Sequence, residues 1–389
     1  MGRAGACQPE SERCWVALVV IDVSRNSLII MGNRQHVAQN NEVRCLSFSK
    51  YTTICTQGRI FIPHRFSHLQ RILSKLFMVS VLGKRLYGKE LHSFVTMAEK
   101  LPVVLTIAGF DPSSGAGITA DIKTIAAHGC YGVACITAMT VQSTAGVRRV
   151  EAVDPALVTE TLEELADDIP IAAVHMGMLG SAKVVRAVAE FLDRRSGETG
   201  LPNTSPNWLP KIVLDPILKS SSGADLLDSA GTRLLIEKLI PLADVVTPNV
   251  DEAAVLTGLK VTDLDEMRAA AAKLHQMGAA AVVITGGHLE KAIDLLSFTT
   301  KGGVEEEVFR AERQHSNSTH GTGCAFSTAM ACHLALDRGL AEAALLAKSY
   351  VTAAIAAGHP LGHGTGPVNH LYRMSQQRRA SGSVSGNES

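Results

Sequence analysis

The chain has 389 residues, and its 37 Lys and Arg are balanced by 37 Asp and Glu. Hydrophobic residues make up 46% and aromatics only 4%, a globular composition that suits tight helix-on-sheet packing better than a stacking surface for nucleic acid. Residues 1–100 hold 14 Lys and Arg against 6 Asp and Glu, but these are scattered and form no basic patch, so nucleic acid is not an expected partner.

The eight cysteines contain no CxxC pair; Cys130 and Cys135 are five apart and Cys324 and Cys332 eight apart, spacings that do not support a zinc site. The apolar run 16–21 is too short to span a membrane, and no charged start with an apolar core marks a secretory leader. A reducing, cytoplasmic setting without a membrane partner is the expectation.

In chain order, residues 1–96 carry short apolar runs at 15–20 and 28–31 and no catalytic constellation. The first run reads as a strand, and residues 69–82 read as a helix. Met97-Ala-Glu-Lys-Leu-Pro102 then reads like the start of a protein. The expected organisation is an N-terminal extension over 1–96 of unknown role, weakly folded or preceding the true start; a main domain over 97–374; and a disordered polar tail over 375–389.

From residue 101 the pattern turns regular. Residues 103–108 predict a strand, 109–117 a glycine-rich loop and 118–127 a helix. Strands follow at 133–138, 172–176, 212–214, 245–247, 281–285 and 305–310. Helices are predicted at 155–166, 183–192, 226–239, 251–256, 265–277, 323–337 and 341–356, and residues 195–210 form a polar loop. Continuous apolar strands alternating with amphipathic helices mean an α/β fold whose central, mostly parallel sheet carries helices on both faces. In such a fold the site lies beyond the strand C-termini, on 109–117, Asp215, 249–252, 286–287 and the loop before Gly323.

The most informative stretch is His320-Gly-Thr-Gly-Cys324. Gly321 and Gly323 permit a tight turn into an apolar helix, and with Thr322 they would present backbone N–H groups to a phosphate. Cys324 falls in the first helical turn, where the helix end lowers a thiol pKa and suits a base that accepts a hydroxyl proton. The same residue types also fit a plain glycine turn with a small buried Cys. Cys332 reads as core.

Several motifs occur in order: Thr106-Ile-Ala-Gly-Phe-Asp-Pro-Ser-Ser-Gly-Ala-Gly-Ile-Thr-Ala-Asp-Ile-Lys123, Ile136-Thr-Ala-Met-Thr-Val-Gln142, Gly177-Met-Leu179, Asp215-Pro216, Thr247-Pro-Asn249, Gly286-Gly-His288, Asn317-Ser-Thr-His-Gly-Thr-Gly-Cys324 and Gly362-His-Gly-Thr-Gly-Pro367. Together they make the chain from about Leu101 to Tyr372 resemble the hydroxymethylpyrimidine/phosphomethylpyrimidine kinases of thiamine biosynthesis, within the ribokinase superfamily. The resemblance implies a ribokinase-like three-layer fold, ATP and Mg²⁺ as cofactors, phosphorylation of a hydroxymethyl group on a small pyrimidine and then of the monophosphate, and a homodimer. Cys324, where most ribokinase relatives carry Asp, narrows the substrate to pyrimidines and pyridoxine-type rings.

The resemblance also implies roles. Asp121 and Gln142 would grip the aminopyrimidine edge, whose donor and acceptors those two groups can match. Gly109 would leave room for the ring, and Met178 would pack on it. Asp215, Asn249, Glu252 and Lys348 would serve the nucleotide, with Asp215 and Glu252 holding Mg²⁺ through water. Each has a plainer reading: a salt-bridged carboxylate for Asp121, a loop residue for Gln142, core filler for Met178, a capping box for Asn249 and Glu252, a turn starter for Asp215 and a helix-surface lysine for Lys348. Thr285, Lys219-Ser-Ser-Ser-Gly223 and Ser318 depart from the family pattern and leave positive charge near the phosphates missing or displaced. A pyridoxine-type kinase and a non-catalytic pyrimidine-binding module are the alternatives.

Overall fold

The computed structural model describes residues 101–197, 210–287, 292–312, 314 and 316–374, together with the backbone of 15–22, 27–34, 55–56 and 59–60. The predicted helix at 69–82, most of the loop at 195–210, His288 and the tail from 375 lie outside these residues. The chain divides into two units, Met1–Ala98 and Glu99–Ser389. In the first, β1 (Trp15–Asp22) pairs antiparallel with β2 (Ser27–Arg34), and β3 (Cys55–Thr56) with β4 (Arg59–Ile60).

The second unit is built on one nine-stranded sheet in the order β13-β12-β11-β10-β9-β8-β5-β6-β7. Its members are β5 (Val103–Phe110), β6 (Tyr131–Ser143), β7 (Gly146–Ala152), β8 (Ile171–Met176), β9 (Lys211–Leu214), β10 (Val245–Val246), β11 (Ala281–Gly286), β12 (Ala292–Thr300) and β13 (Gly303–Ala311). Pairings from β11 through β6 are parallel, whereas β12 and β13 at one edge and β7 at the other are antiparallel.

The helices are α1 (Gly117–Ala127), α2 (Pro155–Asp168), α3 (Ala182–Gly197), α4 (Ser229–Leu234), α5 (Val250–Thr257), α6 (Leu264–Gln276), α7 (Thr322–Ala335) and α8 (Leu340–Ala356). A π turn (Leu235–Leu239) and a 3-10 turn (Ile240–Leu242) continue α4, so the helix predicted at 226–239 begins three residues later, where Asp228 caps the Gly231 N–H at 2.6 Å.

Strand residues alternate between two cores. Leu105, Val174, Leu214 and Val246 pack with α2 to α6 on one face, and Val104, Ala173, Val213 and Val245 pack with α1, α7 and α8 on the other. This is the three-layer arrangement expected of strands that read as unbroken apolar runs. Two strands of the nine-stranded sheet were not predicted. β7 (Gly-Val-Arg-Arg-Val-Glu-Ala) is a polar edge strand, and β12 carries Asp294 and Ser297 at buried positions that break its apolar pattern. β6 also runs five residues beyond its predicted end, to Ser143, because β7 gives it a partner.

β5 feeds β6 on one side, while β8 lies on its other side and leads on toward β9, β10 and β11. The loops after β5 and β8 therefore diverge and open a crevice at the strand C-termini. Among the described residues no helix is long and apolar enough to cross a membrane.

Candidate active site

The crevice is a cleft of about 1330 Å³, larger than a pocket for one small ring and roomy enough for two reactants side by side. α7 points its N-terminus into the middle of it. Gly321 is the N-cap with φ of 80°, and no side chain caps the helix; the Thr322 N–H donates to the Thr319 carbonyl at 3.3 Å, and those of Gly323 and Cys324 remain for a ligand. A second backbone constraint sits opposite. Gly117 starts α1 at φ of 59°, and a Cβ there would lie 2.2 Å from the Gly109 carbonyl oxygen.

On one side of α7 lie Gly109, Gln142 and Met178. A Cβ on Gly109 would come within 2.8 Å of the Met178 Sδ, so the absence of a side chain keeps Met178 in place as a wall. The Gln142 amide lies 3.1 Å from Thr140 Oγ1 and 3.3 Å from Nε2 of His320. His320 is in turn fixed by Asp111, whose Oδ2 is 2.9 Å from the same Nε2. Asp111 also accepts from the N–H groups of Ser113 at 2.8 Å and Ala116 at 3.0 Å. Burial works to raise the Asp111 pKa, but hydrogen bonds from His320 and Ser113 outweigh it and hold the group below the usual carboxylate range.

On the other side lie Asp215, Asn249, Glu252 and Lys348. Asp215 directly follows β9. Asn249 caps α5, its Oδ1 accepting from the N–H groups of Asp251 and Glu252, each at 2.9 Å, while Glu252 returns a bond to the Asn249 N–H at 3.0 Å. The capping box thus exists, and both of its residues still line the cleft. Lys348 reaches the cleft wall with its ammonium already paired to Asp294 at 2.6 Å, and the other Asp294 oxygen accepts from the Gly286 N–H.

Burial lifts the Asp215 pKa to about 6, and burial together with the Asp215 charge lifts Glu252 to about 8. Asp215 accepts from Ser327 and Glu252 from the Asn249 N–H, and the raised values mark two carboxyl groups crowded together at a cavity, a setting that a cation would relieve. Among the described residues no three or more His, Cys, Asp and Glu side chains gather as a metal cluster. Two carboxylates fit a hard, water-rich cation shared with phosphate oxygens, as Mg²⁺ usually is, and do not fit an all-protein cage.

Cys324 sits between the two sides, buried, with the Gly117 N–H directed at its sulfur. Its pKa corrects the sequence expectation. Burial, then the charges of Asp215 and Asp121, push the thiol well above its ordinary value, and this outweighs the pull of the helix end and of Gly117. In the free protein Cys324 is a protonated thiol.

Asp121 is the second correction. It does not line the cleft. It is fully buried between the sheet and α7, where Oδ2 accepts from Thr106 Oγ1 at 2.7 Å and Oδ1 from Thr328 Oγ1 at 2.9 Å, with Nδ1 of His175 at 3.5 Å. Both oxygens are taken by the core, so none is left for a substrate. The other predicted positions, Gly109, Gln142, Met178, Asp215, Asn249, Glu252, Gly321, Thr322, Gly323, Cys324 and Lys348, come together around the cleft.

Sequence reasoning gave no role to Asp111, Thr140 or His320, which position Gln142. His320 stood in the quoted stretch directly before Gly321, and that adjacency was the available signal.

The sequence model of the family described as phosphomethylpyrimidine kinase matches residues 111–369, which include most of the residues that line the cleft. The chain belongs to this family. It is 41% identical over 276 residues to a hydroxymethylpyrimidine/phosphomethylpyrimidine kinase of Streptomyces coelicolor, covering 71% of this chain and 96% of that one. It is 42% identical over 277 residues to a thiamine biosynthesis bifunctional protein of Geobacter sulfurreducens, of which it spans 53%. Among solved structures, an ADP complex of Bacillus subtilis pyridoxal kinase superposes with a TM-score of 0.61 at 32% identity, over 70% of this chain and 99% of that one. Membership makes the chain a kinase of ribokinase-like fold.

Proposed function

We propose that the chain transfers the γ-phosphoryl group of ATP to the hydroxymethyl oxygen of 4-amino-5-hydroxymethyl-2-methylpyrimidine, and then phosphorylates the monophosphate to the diphosphate. The observation that carries this reading is the placement of the α7 N-terminus and Cys324 between a neutral, amide-bearing half-site (Gly109, Gln142, Met178) and an acidic half-site (Asp215, Asn249, Glu252).

The pyrimidine ring lies against Met178 over Gly109. The Gln142 amide, held by Thr140 and His320, both donates and accepts and so can pair with an amino group beside a ring nitrogen. The triphosphate lies along the acidic half-site with its terminal group over Gly321, Thr322 and Gly323. The substrate oxygen attacks the γ-phosphorus in line and the new O–P bond forms as the bond to the ADP oxygen breaks; Cys324, having first lost its own thiol proton to solvent, takes up the hydroxyl proton late in the transfer. The open N–H groups of α7 stabilise the equatorial oxygens.

Asp215 and Glu252 are the residues that would hold Mg²⁺ through water, and the ion would neutralise phosphate charge there. Lys348 keeps Asp294 neutralised at the far wall and serves the nucleotide side through that pair.

Among the described residues, Cys130, Cys135, Cys324 and Cys332 are free and buried, which fits a reducing cytoplasm. Met139 and Val141 leave apolar surface exposed on β6, which suits a homodimer, and sedimentation tests it. The unit after residue 96 supplies every group in this mechanism, so removal of 1–96 is expected to leave activity intact.

The test is a comparison of kcat/KM, with ATP, for the hydroxymethylpyrimidine, its monophosphate and pyridoxal. The pyrimidines are expected to lead. A lead for pyridoxal would transfer the reading to a pyridoxine-type kinase, and turnover of none would leave a binding module.

A further inference from the structure

Beneath the cleft floor, four elements meet in a fully buried polar chain: Thr106 on β5, Asp121 on α1, His175 on β8, and Ser327 and Thr328 on α7. The chain is continuous. Asp121 Oδ2 is 3.5 Å from His175 Nδ1, His175 Nε2 is 2.9 Å from Ser327 Oγ, and Ser327 Oγ is 3.1 Å from Asp215 Oδ2, which faces the cleft.

Hydrogen counting gives the chain a direction. Thr106 Oγ1 lies 3.2 Å from His175 Nδ1 and spends its proton on Asp121 Oδ2. Thr328 spends its own on Asp121 Oδ1. Everything near Nδ1 is therefore an acceptor, and Nδ1 must carry a hydrogen.

At the other end, Ser327 has one proton and three neighbours that can only accept: Asp215 Oδ2, the Gly323 carbonyl and the Cys324 carbonyl, each at 3.1 Å. If Nε2 were bare, it would compete for that proton as a fourth acceptor. If Nε2 carries a hydrogen, it donates to Ser327 and frees the serine proton for Asp215. A buried Asp121 carboxylate without a cation beside it would be strongly destabilising, and an imidazolium is the cation within reach. Burial lowers the His175 pKa, but the charge and hydrogen bond of Asp121 more than offset this, and the group is raised.

We infer that Asp121 and His175 form a buried ion pair that, through Ser327, positions the Asp215 carboxylate for phosphoryl transfer. These are positioning residues and touch no substrate. The inference rests on the proposed transfer for its catalytic consequence, but the ion pair and its direction stand apart from any substrate.

The plain alternative is that Ser327 only bonds back to its own helix, as buried helical serines do. Ser327→Ala separates the two, because alanine suits a helix interior and folding is preserved. The positioning role predicts a kcat loss of about 10- to 100-fold with the pyrimidine KM unchanged, the range for a disturbed catalytic geometry. It also predicts weaker Mn²⁺ binding in the presence of ADP, read by calorimetry without turnover, and partial recovery of both in Ser327→Thr.

The second arm is ¹⁵N NMR of histidine-labelled protein, with the His175 signal assigned by its loss in His175→Gln. Two protonated ring nitrogens at neutral pH are expected in the wild type, and one in Asp121→Asn. If the wild type phosphorylates nothing, the proposed function fails while the NMR and calorimetry still judge the relay. Unchanged kcat and Mn²⁺ binding in Ser327→Ala, or a bare Nε2 in the wild type, overturns it.

Discussion

A side chain on Gly321 would place its first carbon 1.9 Å from the carbonyl oxygen of Gly115, which joins the loop after β5 to the start of α7 at a distance only glycine permits. Gly321 also sits at φ of 80°, so substitution strains the backbone as well.

Gly321→Ala should therefore push apart the two backbones that frame the phosphate turn. A displacement near 1 Å at reacting atoms is enough for roughly a 100-fold loss of rate. The expected result is a folded protein with kcat lowered at least that far, measured by ADP release at saturating substrates. A variant with near-normal kcat would contradict the assignment of this turn to the phosphoryl group.

Gly109→Ala addresses the ring subsite. The new methyl would meet the Met178 Sδ, the far end of a flexible chain, so Met178 shifts into the cleft and the fold survives. KM for the pyrimidine should rise about tenfold, the equivalent of ~1.4 kcal/mol, with KM for ATP unchanged. Equal changes in both constants would contradict the division of the cleft into two half-sites.

Much of this arrangement was legible in the sequence. The parallel strands β5, β8, β9, β10 and β11 declare themselves as apolar runs because both of their faces are covered, whereas β6 leaves Ile136, Met139 and Val141 exposed. The glycines at 109, 117 and 321 mark close approaches of backbone. The failures have physical causes. β7 is a polar edge strand held by pairing with β6, a tertiary effect invisible to local pattern. Asp121 lies on α1 close to the glycine loop, and only the packing of α7 shows that its carboxylate faces Thr328 and His175. For Cys324 the position in the helix was right, but burial raises its pKa, followed by the charges of Asp215 and Asp121, which come from far away in the chain.

Asp121→Ala, on this geometry, is a stability variant. It leaves His175, Thr106 and Thr328 without their shared acceptor in the core. Breaking a buried pair by removing one partner costs about 3–5 kcal/mol. The urea midpoint should fall accordingly, and Asp121→Asn should lose less because it keeps an acceptor. A stable Asp121→Ala protein with a raised pyrimidine KM would restore Asp121 to the substrate site.

Acid stability follows from three histidines, His333 and His370 buried and His128 half-buried. Burial is the main cause that lowers His128, His333 and His370 to about 4 each. His128 Nε2 and His333 Nε2 find no hydrogen-bond partner, and their rings meet edge-on at 4.9 Å. An unfolded histidine takes up its proton near pH ~6.5, whereas these folded ones resist it down to about 4. Their contribution is therefore complete above that unfolded value and is lost as pH falls through this window. Urea midpoints measured between pH 7 and pH 4 should decline, and His333→Leu should make the decline shallower. An unchanged slope would contradict this account.

Cys324→Ser bears on the whole mechanism, in which transfer takes place at the α7 N-terminus between the two half-sites and the Cys324 thiolate, formed before transfer, accepts the proton. The decisive measurement is kcat of this variant from pH 6 to 9, alongside direct binding of ATP and of the pyrimidine. A serine hydroxyl fills the same space but cannot serve as base. The expected kcat is lower by roughly 10²- to 10⁴-fold, the range for a positioned acid or base, with both affinities nearly unchanged. A folded Cys324→Ser protein with near-normal kcat across that range would contradict it, leaving Cys324 as a packing residue and the catalysis to the backbone N–H groups.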